Sequence, residues 1–232
     1  MVEIKGLEKF ASRDFPGHIS STVFVGGCNF RCPFCHNADL VLNPARLPSL
    51  DLNLFLSYLD SRKGWLEGLC LSGGEPLLHE DLEVLARVIK DRGYLVKLDT
   101  NGSFPDRLEY LIKQGLVDWV AMDIKGPLAR YQEIVRTEVD LEKINRSQEI
   151  IRHSDLPYIF RTTVVPGLHT ENDLLEIAAW LQGARCFQLQ QFVPQNTVDP
   201  EFLKREAYPA EVLRRWAEKL RPYFDEVLVE GV

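Results

Sequence analysis

Cys28, Cys32 and Cys35 fall within the run Gly26-Gly27-Cys28-Asn29-Phe30-Arg31-Cys32-Pro33-Phe34-Cys35-His36-Asn37. Three thiols so closely spaced must converge on one point. A closed structural zinc site or a fully ligated four-iron cluster uses four ligands, so three suit a [4Fe-4S] cluster with one iron left open to a small molecule. An open iron implies chemistry. Spacing alone leaves two other uses in play. The three cysteines and His36 could hold zinc, or two thiols could pair as a disulfide, although short cysteine spacings in an intracellular chain more often mean metal.

Further candidates cluster where apolar runs end. Ser72-Gly73-Gly74-Glu75-Pro76 offers two glycines that let backbone approach a ligand, and a carboxylate able to accept from an ammonium. Taken alone, that segment also reads as a plain turn. Asp99-Thr100-Asn101-Gly102 and Asp123-Ile124-Lys125 are polar clusters of the same kind. Asp99 could simply cap a turn. Asp123 and Lys125, two residues apart in an extended chain, share one side and could form a mutual salt bridge. Arg161, before Thr162-Thr163-Val164-Val165-Pro166-Gly167, is either an ion-pair partner or a bidentate receptor for a carboxylate.

The elements that must position these groups alternate. Apolar runs at 19–25, 66–71, 95–99, 117–124, 158–165 and 186–192 read as strands. Helical patterns fall at about 51–62, with Asp51 as N-cap, and at 80–91, 105–114, 129–135, 141–153, 171–181 and 210–220. A terminal apolar run covers 226–229, a short strand or hairpin precedes residue 18, and the stretch around Asn43-Pro44 and Leu47-Pro48 reads as loop. Strand–helix alternation implies an α/β fold with a parallel sheet. No Gly-x-Gly-x-x-Gly follows any strand, so a dinucleotide fold has little support. The expectation is a curved, incomplete barrel of six β/α units, with active residues at the strands' C-terminal ends.

The chain has 232 residues, 45% of them hydrophobic, and a net charge of -7. That suits one domain over 1–232, with the N-terminal strand or hairpin and a helix and strand from about 200 as appendages. No long basic run provides a phosphate-backbone footprint, so nucleic acid is not expected. No apolar run reaches membrane-span length and the start lacks a signal-peptide pattern, so a cytoplasmic location is expected. Cys70 and Cys186, isolated in apolar surroundings, read as core residues.

The cysteine spacing, with Phe34 before the last thiol, resembles the signature of the radical S-adenosylmethionine (SAM) superfamily. Cys35-His36-Asn37, preceded by Arg13-Asp14-Phe15-Pro16-Gly17, is similar to the activating enzymes of glycyl-radical enzymes, such as those of pyruvate formate-lyase and anaerobic ribonucleotide reductase. The resemblance implies a partial (β/α)6 TIM-like barrel, a [4Fe-4S] cluster on the three cysteines, and SAM. It implies that Gly73, Gly74 and Glu75 hold the methionyl amine, and that Asn101 lies in the cofactor site. Asp99, Thr100 and Asp123 would hold a monovalent cation, Lys125 would contact SAM near the ribose, Arg161 its carboxylate, and Phe34 its adenine. His36 is not expected to be a general base. Asn196 stands where the pyruvate formate-lyase activases place a histidine. The implied partners are a glycyl-radical enzyme as protein substrate and a flavodoxin or ferredoxin-type electron donor.

Two other readings stand beside this one. A radical SAM enzyme acting on a small molecule, similar to 7-carboxy-7-deazaguanine synthase, shares the same motifs. A zinc or iron-sulfur electron-transfer module would explain the cysteines but leave residues 72–76 without a role.

Overall fold

Leu95-Val96-Lys97-Leu98-Asp99-Thr100 shows how the sheet is made. Its even-numbered members through Leu98 are buried apolar residues, and Lys97 and Asp99 occupy the opposite face, as side-chain alternation along a strand requires. The same rule, applied strand by strand, puts helices against one face and a polar cavity against the other. The structure, a computed structural model, describes residues 2–232.

The chain opens with β1 (Ile4–Glu8), which pairs antiparallel with β2 (Ser20–Val25). The cysteine loop and two helices follow, α1 (Ala38–Leu42) and α2 (Leu52–Ser61). Then come β3 (Gly68–Gly73), α3 (Leu82–Lys90), β4 (Leu95–Thr100), α4 (Pro105–Lys113) and β5 (Trp119–Asp123). After β5 run α5 (Tyr131–Val135), α6 (Leu141–His153), β6 (Tyr158–Val164), α7 (Glu171–Trp180), β7 (Ala184–Gln191), α8 (Ala210–Leu220) and β8 (Phe224–Glu230). The strands form one eight-stranded sheet in chain order, and every pair from β2 to β8 is parallel. Glu8 of β1 and Glu230 of β8, at opposite edges of the sheet, line the same cavity. The sheet is therefore curved into a partial barrel of the expected α/β kind.

Local chemistry accounts for several boundaries. Asp51 accepts from Leu54 N at 3.1 Å and so caps α2 as its sequence position predicts. Thr170 and Asp173 form a reciprocal capping box on α7. Two expectations shift. The stretch after the cysteines contains the five-residue α1, whose N-cap Asn37 makes no side-chain capping bond, so little in the sequence announced a helix. The third strand runs to Gly73 rather than ending at residue 71.

Outward-facing residues such as Leu69, Val96, Val120, Phe160 and Leu189 are fully buried under the helices. The inner face carries Ser72, Asp99, Asp123, Arg161 and Gln190 instead. Cys70 is buried as expected, whereas Cys186 is only half-buried. It shares strand parity with Gln188 and Gln190 and pairs in register with Glu226, so it belongs to the polar face rather than the apolar one. Among the described residues no helix is long and apolar enough to cross a membrane.

Candidate active site

At the C-terminal ends of the strands lies a cavity of about 790 Å³, and Cys28, Cys32 and Cys35 all line it. Their loop leaves β2 through Gly26 and Gly27 and is tied down on several sides. Gly27 N donates to Leu40 O at 2.7 Å, and Asn37 Nδ2 donates to Gly73 O at 2.8 Å, joining the loop to β3. Val198 N and Asp199 N donate to the carbonyls of Cys35 and Pro33 at 3.1 and 2.9 Å, joining it to the segment after β7. Burial pushes the thiol of Cys28 up to about 11 and that of Cys32 to about 12, and raises Cys35 as well. They are thiols at neutral pH, and a metal must displace their protons.

Phe34 is buried beside them, its ring edge-on to His169 at 6.1 Å. His169 Nδ1 accepts from Val165 N at 3.0 Å, so the proton resides on Nε2, which donates to Lys125 O at 2.8 Å. His36 sits exposed at the rim, and its carbonyl accepts from Asn196 Nδ2 at 3.2 Å. Asn196 adopts the left-handed conformation (φ 47°), which asparagine tolerates better than most residues, and its amide links the β7 exit to the cysteine loop.

The β3 exit places Glu75. A Cβ on Gly74 would lie 1.8 Å from Gly27 O, and one on Gly73 would lie 2.4 Å from Val25 O. The nearest thing these glycines accommodate is the chain's own backbone, which lets the β3 turn nest against the start of the cysteine loop. Glu75 is 1% exposed. Its Oε1 accepts from Thr100 Oγ1 (2.8 Å) and Leu77 N (3.0 Å), and its Oε2 from Asn101 N (2.6 Å). Burial raises its pKa to about 7 against the pull of those three donors.

Across the cavity the carboxylates have ionic partners. Asp99 is bound by Lys97, by Ser72 Oγ at 3.1 Å and by Arg161 Nη2 at 3.4 Å. Asp123 is bound by Arg161 Nε at 2.8 Å and Lys125 Nζ at 3.1 Å. The result is a chain of charges, Lys97–Asp99–Arg161–Asp123–Lys125, with three cations and two anions. Burial works against ionisation of both aspartates, but Arg161 above all, then Lys97 and Lys125, hold them below the usual carboxylate range. Burial likewise opposes the charge of Lys125, yet Asp123 keeps it above the ordinary lysine range.

The structure thus gathers Phe34, Gly73, Gly74, Glu75, Asp99, Thr100, Asn101, Asp123, Lys125 and Arg161 around one cavity with the three cysteines. It does not bring Thr100 to the aspartates. Thr100 is the strand neighbour of Asp99, and alternation turns its hydroxyl to Glu75 instead. The same alternation identifies a residue absent from the sequence-level candidates: Lys97, two before Asp99, shares its face. Asn29 was absent too. It accepts from Asn101 Nδ2 at 3.0 Å and donates to Ser103 Oγ at 2.9 Å, joining the cysteine loop to the β4 exit.

Among the described residues no three or more His, Cys, Asp or Glu side chains are gathered to hold a single metal ion. His36, the fourth ligand that spacing offered to zinc, sits exposed at the rim. Three soft thiols on one loop, facing a cavity and flanked by Phe30 and Phe34, fit a cluster of several irons with one iron turned toward the cavity.

The radical SAM superfamily profile matches residues 22–181. A Methanocaldococcus jannaschii protein described as a candidate glycyl-radical enzyme activating enzyme, MJ1227, is 32% identical over 99% of this chain and 96% of its own length. The pyruvate formate-lyase-activating enzyme of Streptococcus mutans is 30% identical over 90% of this chain and 83% of its own. Streptococcus suis SuiB, in a crystal structure bound to S-adenosylmethionine, shares the fold with a TM-score of 0.69 at 15% identity, over 88% of this chain. The chain spans about half the length of SuiB, 48%. This protein belongs to the radical SAM superfamily and is a radical SAM enzyme. Its family implies a [4Fe-4S] cluster and SAM as cofactors.

Proposed function

We propose that the protein is an activase that installs a glycyl radical on a partner enzyme of the anaerobic ribonucleotide reductase or pyruvate formate-lyase type. The observation that carries this reading is the full-length likeness to activating enzymes, which spans the strand exits as well as the cysteines. Cys28, Cys32 and Cys35 hold the cluster in this reading. When bound, the cluster supplies the electron that cleaves the sulfonium C–S bond of SAM, giving methionine and a 5'-deoxyadenosyl radical able to take hydrogen from a backbone glycine.

The protein's own groups supply orientation and exclusion of water. Glu75 accepts from the methionyl ammonium, and that cationic partner lowers its pKa and offsets its burial. The net positive charge of the chain ending at Lys125 favours the SAM carboxylate, with Arg161 as the bidentate receptor. Asn101 is held beside the cofactor by Asn29. Phe34 forms an apolar wall for the adenine. A cavity of about 790 Å³ is large within the usual range for small-molecule sites, about 300–1,000 Å³. It leaves room beside SAM for a glycine-bearing loop. The electron donor is a flavodoxin or a ferredoxin-type protein.

The test is anaerobic. The protein is reconstituted with iron and sulfide, reduced and given SAM, and 5'-deoxyadenosine and the cluster's electron paramagnetic resonance are recorded. A glycyl-radical enzyme encoded by the same organism is then added. A SAM-shifted cluster signal followed by a glycyl radical on the partner is expected. SAM cleavage that never yields a protein radical would overturn activation, and a cluster blind to SAM would overturn SAM binding itself.

A further inference from the structure

Lys97 is a charged residue that the proposed chemistry does not use, and it is only 2% exposed. Its ammonium is fully accounted for inside the fold. It is paired with Asp99 Oδ1, lies 3.6 Å from Cys70 Sγ, and sits over the Trp119 ring at 5.2 Å from the centroid. Every aspartate oxygen also has a partner. Asp99 Oδ1 is taken by Lys97 and Oδ2 by Ser72 and Arg161, while Asp123 Oδ1 is taken by Arg161 and Oδ2 by Lys125.

A monovalent metal ion held by Asp99, Thr100 and Asp123 does not fit this arrangement. Thr100 gives its hydroxyl to Glu75, and each aspartate oxygen already faces an organic cation or a hydroxyl. An added metal ion would have to pair with carboxylates whose charge is already exceeded, three to two, by cations. A lysine anchored two residues before Asp99 supplies the same unit charge without a binding equilibrium.

We infer that Lys97 is the built-in monovalent cation of this site, so that SAM binding here requires no added alkali metal ion. The inference rests on the reading that SAM binds beside Asp99 and Arg161. In that arrangement Lys97 is a positioning residue, holding Asp99 and through it the Arg161 guanidinium.

The experiment is SAM affinity of the cluster-loaded protein, measured anaerobically in potassium, sodium or choline chloride at one ionic strength, so that screening stays constant. Wild-type affinity is expected to change less than about twofold among the three salts. Lys97→Met is expected to lose affinity in choline and recover it in potassium or sodium, by about 5–150-fold, the usual span of coupling between two sites. A second readout needs no cluster: potassium should raise the melting temperature of apo Lys97→Met but not of apo wild type, because a ligand that binds only the folded state stabilises it. If Lys97→Met does not fold, Lys97→Met/Asp99→Asn removes charge and countercharge together and should melt and bind SAM without regard to potassium. Wild-type affinity that collapses in choline overturns the inference and leaves SAM binding standing. So does a Lys97→Met protein as indifferent to salt as wild type. A wild type that binds SAM in none of the salts overturns the SAM reading on which the inference rests.

Discussion

The buried Glu75 and the partly buried pair Asp99–Asp123 stand at neighbouring strand exits, yet their ionisation is shifted in opposite directions. The aspartates are surrounded by Lys97, Arg161 and Lys125, and the attraction of those cations exceeds the cost of burial. Glu75 has three hydrogen-bond donors but no cation, and its pKa rises to about 7. A buried charge with only neutral partners is a group waiting for a cationic ligand. A buried charge already paired belongs to the frame that receives one. In the proposed function, the contrast separates the part of the site that would meet the methionyl ammonium from the part that is preassembled.

The two carboxylate sets also respond to pH with opposite sign. Glu75's folded pKa lies above its ordinary value of 4.5, so its contribution to stability is fully present below about pH 4.5 and is lost as pH rises through about 7. For Asp99 and Asp123 the folded pKa lies below the ordinary 3.8. Their contribution is present above that value and lost as pH falls below it.

Substitutions can break or sharpen the comparison. The largest effect is expected from Gly74→Ala, which drives a methyl into Gly27 O at 1.8 Å and displaces Glu75 from its donors. A loss of about 4 kcal/mol or more, or failure to fold, should appear in denaturant melts, since backbone cannot yield as a side chain can. Arg161→Met comes next. It removes the cation shared by both aspartates and should cost about 3–5 kcal/mol at pH 7. A variant as stable as wild type would mean the ion chain does not hold the aspartates.

The pH-dependent effect of Glu75→Gln should have the opposite sign. The variant's amide nitrogen faces a backbone N–H donor at any pH, but without ligand its stability should gain on wild type by up to roughly 3 kcal/mol between pH 5 and pH 8, as the wild-type carboxyl ionises. It should also lose SAM binding. A Glu75→Gln protein that gains nothing on wild type between pH 5 and pH 8 would remove the distinction between the two regions. The smallest effect belongs to Ser72→Ala, which takes one hydroxyl from an aspartate that keeps two cations. About 1 kcal/mol or less is expected, by the same melts.

Much of the fold was legible because periodicity is local. Helix 210–220 matches α8 residue for residue, and Asp51 caps α2 as its position required. The five-residue α1 escaped because it has neither a capping bond nor enough length to show a period. In the site, Cys28, Cys32 and Cys35 stand out from type and spacing alone, whereas Glu75, whose segment also reads as a plain turn, is singled out by the family resemblance. Thr100 was grouped with Asp99 and Asp123 on the family resemblance, although adjacent residues in a strand face opposite sides. Lys97 is absent from the candidates read in the sequence, and a lysine in a strand normally reads as solvent-facing. Only the burial of that face reverses the reading.

The sequence by itself determined the order of strands and helices, the loop that carries three thiols, and which side chains share a face, because each follows from spacing along one chain. The tertiary structure decided which carboxylate meets a cation. Arg161 of β6 stands in register beside Asp123 of β5 and reaches across to Asp99 of β4, while Glu75, turned toward Thr100 and the Asn101 amide, meets none. Charge pairing across strands depends on distances of a few ångströms that residue order does not encode.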